Sequence, residues 1–366
     1  MLKNKLEGFG HFTNETLKRM VFNNPEVQFY FLFDRAFDQS YIYAKNVIPV
    51  VIPPPARHPI LWNIWFNISI YFWLKKYQPD LFLSPDGFAS LTTKTKQLSV
   101  IHDLAFEHFE DGIQQSHLKY MRINSPKFAN KVNRIATVSQ FSKNDIIDKY
   151  KINPAKIDVV YNGANNLFQQ ISITEKEEIK EIYSQGFNYF LYIGSIHPRK
   201  NVARLLQAFD SFKSQTNSNY KLVLTGRMAW KTGAVSNVFN QMKFKNDVIF
   251  TGYLSNEDLA KITATAFALC YVSLFEGFGI PIIEAMKCGV PVICSNTSSM
   301  KEIGEGATVQ INPNSIESIT YAMVLLVKDE ALQQTLIAKG LARQAAFSWD
   351  KSAELLWQSC LKAMEK

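Results

Sequence analysis

The chain has 366 residues, 47% of them hydrophobic and 20% charged, with a formal net charge of +8. That length suits roughly two domains, and the composition is ordinary for a packed globular protein. The positive balance suits nucleotides, phosphate esters or an acidic membrane surface, whereas nucleic acid is not expected, because no Arg/Lys-rich run with interleaved aromatics is present.

Short apolar runs alternate with longer amphipathic ones almost throughout, the pattern of a parallel sheet wrapped by helices. The start, Met1-Leu2-Lys3-Asn4-Lys5-Leu6-Glu7, has no apolar core of a secretory signal. In the first half, strands are predicted at 27–33, 47–52, 81–83, 98–101, 135–138 and 158–161, and helices at 13–22, 61–76 and 143–149. Pro53-Pro54-Pro55 reads as a rigid loop. The aromatic stretch from Ile60 to Leu74 admits three readings. A helix apolar nearly all round belongs in a core. Lys75-Lys76 at its end would suit a helix lying on an anionic membrane. A membrane span is disfavoured, because the stretch is short and carries Asn63, Asn67 and Ser69.

The polar stretch 165–185 reads as the linker between halves. Beyond it, strands are predicted at 189–193, 221–224, 248–250, 268–272, 290–294 and 308–311, and helices at 202–214, 256–266, 281–287 and 298–303. Helix-forming sequence continues from Ser315 to the end, with a break near Phe347-Ser348. The simplest architecture is α/β: two doubly wound, Rossmann-like domains facing a cleft, with ligands at the carboxyl ends of the strands. Cys270, Cys288, Cys294 and Cys360 form no C-x-x-C pair and have no histidine at zinc-ligand spacing. They read as buried, reduced thiols of a cytosolic protein.

The chemistry concentrates after two strands of the second half. Glu276-Gly277-Phe278-Gly279-Ile280-Pro281 leads from the strand at 268–272 into a helix containing Glu284. Its glycines let backbone approach a ligand closely. Pro281 is expected as the first helical residue, and the helix start favours an anion. Glu284 is expected in the first turn. Two carboxylates separated by seven residues then flank an anion site, suited to the hydroxyls of a polyol on either side of a phosphate. Gly194-Ser195-Ile196-His197-Pro198-Arg199-Lys200-Asn201 follows the strand at 189–193. It offers amides and two cations to neutralise a diphosphate. Neither Asp-x-Asp nor any other set suited to Mg²⁺ or Mn²⁺ is evident, so no metal and no cofactor are expected. In the first half, His102-Asp103 ends one strand and Ser139-Gln140-Phe141-Ser142 follows another. Ser139 and Ser142 read equally well as a helix cap.

Together these motifs resemble the group 1 family of retaining nucleotide-sugar glycosyltransferases with GT-B architecture. Further matches are Leu224-Thr225-Gly226, Phe250-Thr251-Gly252-Tyr253-Leu254 and Lys287-Cys288-Gly289-Val290-Pro291-Val292. The resemblance implies an acceptor-side domain at 1–170, a donor-binding domain at 171–347, and a crossover helix at 348–366 returning to the first domain near Trp349. It implies that Arg199 and Lys200 hold the diphosphate beside the Gly194 and Ser195 amides. Glu284 would bind the ribose, and Glu276 the transferred sugar with the amides of Gly277, Phe278 and Gly279. The base would lie near Arg227, Tyr253 and Leu254. His102 would contact sugar or acceptor, with Gly8, Gly10, Asp103 and Ser139 on the acceptor side. The implied reaction is metal-independent, front-face displacement with retention, carrying a hexose from GDP-mannose or a UDP-sugar to a glycan or lipid-linked oligosaccharide. The implied place is the cytoplasm, with the basic charge and aromatic helix suggesting the inner membrane face. One departure is clear: Gly8-Phe9-Gly10 fits the family's first turn, but Met1-Leu2-Lys3 supplies no strand before it. The alternatives are an inactive donor-binding partner subunit, or an epimerase or phosphorylase on the same architecture.

Overall fold

The computed structural model describes residues 8–227 and 233–365. Residues 1–7, on which the expectation of a missing first strand rests, lie outside that range. The chain forms two compact units, Met1–Asn162 with Ser348–Lys366, and Gly163–Phe347. The division thus falls eight residues before the expected boundary at 170. The supposed linker is a correction: it contains the helix Ile173–Ser184, opened by a reciprocal capping box between Ser172 and Glu175. A serine followed three residues later by a glutamate is the sequence signature of such a start.

In the first unit, β1 (Phe29–Phe33) pairs in parallel with β2 (Val47–Val51). A separate parallel sheet runs in the order β3 (Phe82–Ser84), β4 (Gln97–Ile101), β5 (Arg134–Thr137), β6 (Ile157–Val159). The aromatic stretch joins the two. It forms a helix at Pro59–Ile64, a π-helical segment at Trp65–Ser69 and a helix at Ile70–Tyr77. Trp65, Phe66, Ile70 and Leu74 are buried against Leu32 of β1, Val50 of β2 and Phe82 of β3. Its other face leaves Ile60, Ile68 and Phe72 more than half exposed. The core reading therefore holds for one face of the stretch, and the other is exposed. Among the described residues no helix is long and apolar enough to cross a membrane.

The final helix, Trp349–Met364, belongs to this unit. Trp349 meets Phe12 edge-on at 6.3 Å, and Asp350 pairs with Arg19 at 2.6 Å. Both partners lie on the helix Gly8–Asn23. Further along, the Ser359 hydroxyl donates to Asp158 of β6 at 2.7 Å, and Arg134 of β5 clamps the same carboxylate with two bonds of 2.7 Å. The helix Gln115–Lys131 has no counterpart among the predicted elements, because Pro126 in its interior reads as a breaker.

The second unit holds a six-stranded parallel sheet in the order β12-β11-β10-β7-β8-β9. The strands are β7 (Tyr189–Ile193), β8 (Lys221–Thr225), β9 (Val248–Gly252), β10 (Ala268–Tyr271), β11 (Val292–Ser295) and β12 (Val309–Ile311). Every residue of β7 and β10 is buried, as expected for central strands covered on both faces. One cover is the helix Val202–Thr216, whose Val202, Leu205, Leu206, Phe209 and Phe212 form a single apolar stripe. It packs with Ile319, Met323 and Leu326 of the helix Ile316–Lys328. Each such large side chain contributes roughly 1.5–3 kcal/mol on burial. The strand order reverses between β7 and β10. In a doubly wound sheet, ligands bind outside the carboxyl ends of the strands at that reversal.

Candidate active site

The motifs at 194–201 and 276–284 follow β7 and β10, the strands on either side of the reversal. The loop after β7 is pinned to its neighbours by backbone bonds. The Gly194 amide donates to Thr225 O at 3.0 Å, and that of Ile196 to Arg227 O at 3.3 Å. Gly226 makes this approach possible: a Cβ there would stand 2.1 Å from Gly194 O. The Tyr192 hydroxyl, buried beneath, donates to Ser195 O at 3.0 Å. The His197 ring accepts from the Arg199 amide at 3.3 Å and so caps the turn Pro198–Lys200. Asn201, in the left-handed region at φ 61°, donates to Val272 O and Pro313 O at 3.0 and 2.7 Å. Sequence reasoning assigned no role to Gly226, Tyr192 or Asn201. Gly226 and Asn201 were legible there only as members of motifs, and Tyr192 only as a polar tip in an apolar run.

Arg199 and Lys200 converge on Glu276. Arg199 Nη1 donates to Phe275 O at 2.6 Å and to Glu276 Oε2 at 3.0 Å, while Lys200 Nζ donates to Glu276 Oε1 at 2.5 Å. Burial alone would raise the Glu276 pKa, but the Lys200 ammonium and then the Arg199 guanidinium outweigh it and hold the carboxyl at about 2. The loop carrying it is clamped by Ser298, which accepts from the Glu276 amide at 3.1 Å, and by Ser299, which donates to Glu276 O and Phe278 O at 2.8 Å each. These serines read in the sequence only as a helix start.

Gly279, at φ 108°, precedes the helix Ile280–Lys287. Two expectations shift here: Ile280 rather than Pro281 is the first helical residue, and Glu284 falls in the second turn. Glu284 is 9% exposed. Among the described residues its carboxylate has no hydrogen bond or ion pair, and burial pushes it up to about 8, opposed only by Lys287. A buried carboxyl without a protein partner is costly to keep and marks a place for a ligand that donates hydrogen bonds. Tyr253, which is exposed, and Leu254 follow β9, and the exposed Arg227 follows β8, along the same sheet edge. No group of three or more His, Cys, Asp or Glu among the described residues is placed to hold a metal ion.

In the first unit, His102 follows β4. Its Nε2 lies 3.0 Å from Pro85 O, and its ring packs against Phe9 at 5.0 Å and edge-on to Phe12 at 5.1 Å. A carbonyl only accepts, so Nε2 carries the proton and Nδ1 keeps its lone pair. Burial lowers the pKa and favours this neutral form. Asp103 accepts from the Ala105 amide at 2.9 Å, holding the turn into the helix Ala105–His108. Ser139 is buried and caps the helix Gln140–Tyr150 by accepting from the Ser142 amide at 3.0 Å, so of its two readings the cap accounts for the hydroxyl. Gly8 and Gly10 do not form the expected glycine turn: they lie in the first turn of the helix Gly8–Asn23.

The family profile for glycosyl transferases group 1 matches residues 174–343, and that for glycosyltransferase family 4 matches residues 8–166. The O-antigen chain mannosyltransferase B of Escherichia coli is 28% identical over 278 residues, covering 76% of this chain and 73% of that protein. The serotype-specific mannosyltransferase WbdA of Escherichia coli is 26% identical over 71% of this chain, which spans only 32% of that longer protein. Among solved structures, HepE of Anabaena in complex with UDP and glucose superposes with a TM-score of 0.75 at 17% identity, over 98% of this chain and 97% of that one. Two profiles that tile residues 8–343 almost without a gap, and two Rossmann-like units of the GT-B type, place the chain in the group 1 glycosyltransferase family.

Proposed function

We propose that the chain transfers a hexose, mannose in preference, from a nucleotide diphosphate sugar to a hydroxyl of a glycan or lipid-linked oligosaccharide, with retention and without a metal. The observation that carries this is the pair of unlike carboxylates at the reversal of the second sheet. Glu276 is ionised and matched to two cations, whereas Glu284 is buried with no partner among the described residues. A nucleotide sugar supplies what each lacks. Its ribose hydroxyls donate to Glu284, its diphosphate takes up the charge of Arg199 and Lys200, and its sugar hydroxyls donate to Glu276. The preference for mannose is supported by the names of two relatives, both mannosyltransferases.

Bond breaking between the anomeric carbon and the diphosphate builds negative charge on the leaving oxygen. Arg199 and Lys200 are preorganised where that charge develops, and the Gly194 and Ser195 amides can add to them. The leaving oxygen takes the acceptor hydroxyl's proton on the same face as attack, so no separate nucleophile of the glycosidase kind is needed. His102, neutral with a free Nδ1 lone pair, accepts from a substrate hydroxyl. The exposed stripe Ile60, Ile68, Phe72 with Lys75 and Lys76 supports docking on an anionic membrane that carries the acceptor.

Calorimetric titration with GDP-mannose and UDP-hexoses in EDTA is the direct test. One donor should bind, and Glu284→Ala and Lys200→Ala should each remove binding while leaving the fold intact. Binding unchanged in both variants would overturn the site, and an inverted anomeric configuration in the product would overturn retention.

A further inference from the structure

Tyr271 ends β10 and is 3% exposed. Its ring lies under the glycine turn, 3.4 Å from where a Cβ of Gly279 would stand. The Lys200 ammonium sits 5.4 Å from the ring centroid and donates to the phenol oxygen at 3.4 Å, in addition to its 2.5 Å bond to Glu276. Burial, reinforced by the Glu276 carboxylate, holds this phenol well above the usual tyrosine range. The hydroxyl therefore keeps its proton, turned toward Glu276, and leaves a lone pair for the ammonium. Phenylalanine would fill the same volume and keep the same contact between ring and cation. A buried hydroxyl is retained where it has partners, and here both partners belong to the donor site.

We infer that Tyr271 is a positioning residue that anchors the Lys200 ammonium at the end of β10 when Glu276 turns to the hydroxyls of the donor sugar. In the free chain Lys200 has two anchors. Once donor hydroxyls occupy the Glu276 oxygens, the phenol is the anchor that remains, and it keeps the ammonium at the diphosphate rather than free to swing on its four-carbon stem. This rests on the donor-site reading above.

The test compares the full-length chain with Tyr271→Phe, using GDP-mannose and UDP-glucose and the sugar-free diphosphates GDP and UDP as probes in calorimetry, together with turnover of whichever sugar donor binds. Tyr271→Phe should weaken sugar-donor binding and lower kcat by about ten-fold each, the lower end for a hydrogen bond to a charged group, and leave binding of the bare diphosphate unchanged, because Glu276 still holds Lys200 when no sugar is present. Equal affinity for the sugar donor in wild type and Tyr271→Phe would overturn the inference alone. Equal losses for the sugar donor and the bare diphosphate would also overturn it, since they would mark a packing role. A wild-type chain that binds neither would overturn the donor-site reading and this inference with it.

Discussion

Glu284 makes donor affinity and stability depend on pH in opposite directions. Its carboxyl rests at about 8 in the free chain against an ordinary 4.5, because burial disfavours the charge. The folded state therefore holds a proton that the unfolded chain has lost across that interval. The stability this contributes is fully present below the unfolded value and is lost as pH rises toward about 8. At roughly 1.4 kcal/mol per unit, the window amounts to something on the order of 5 kcal/mol. A donor whose ribose hydroxyls donate to Glu284 needs the ionised acceptor. Below pH 8 its binding must release one proton, so affinity should rise nearly ten-fold per pH unit from 6 and flatten above 8. Calorimetry in buffers of different ionisation heat reads the proton directly, and urea unfolding at several pH values reads the stability. Glu284→Gln should lose the fall in stability that wild type shows as pH rises toward 8, and bind the donor weakly at every pH. Wild-type affinity that stays level between pH 6 and 8 would refute the assignment of Glu284 as the hydroxyl acceptor.

Three other perturbations follow from the packing. Gly226→Ala, at φ 138° and with a Cβ 2.1 Å from Gly194 O, should cost roughly 2–4 kcal/mol and push the Gly194–Ser195 amides out of place. Thermal unfolding with donor titration should show lost affinity beyond the lost stability. Trp349→Ala should destabilise the first unit by about 3–5 kcal/mol, because it empties the space against Phe12. Limited proteolysis should then cut the first unit before the second. Phe72→Glu with Ile68→Glu should leave folding and donor binding intact but abolish sedimentation with anionic vesicles at low salt. Unchanged sedimentation would remove the membrane-docking reading.

Much of this molecule was legible without coordinates. All twelve strands among the described residues overlap the runs predicted for them, and the central ones, covered on both faces, are apolar at nearly every position. The donor motifs were legible for a related reason: glycine before a helix, and charges directly after a strand, are local requirements of a binding loop. Helices with weaker local signals were not. Gln115–Lys131 hides behind Pro126, and Ile173–Ser184 hides in a polar stretch despite its capping box.

The tertiary structure decided the matters that depend on distance between remote residues. Glu276 and Glu284 are the same residue type eight positions apart, and nothing in the sequence says which of them is paired. Folding brings Arg199 and Lys200 to one and, among the described residues, no partner to the other, so their carboxyls settle at about 2 and about 8. Likewise Gly8 and Gly10 read as a turn in the sequence but lie in a helix whose Phe12 packs on Trp349, a contact across more than three hundred residues. Composition and periodicity are properties of short windows, and they determined the strands and the loops between them, while the family resemblance rested on the motifs at 194–201 and 276–284. Charge pairing, solvation and the choice between two local conformations are set by what the rest of the chain brings near, and only the folded molecule fixes those.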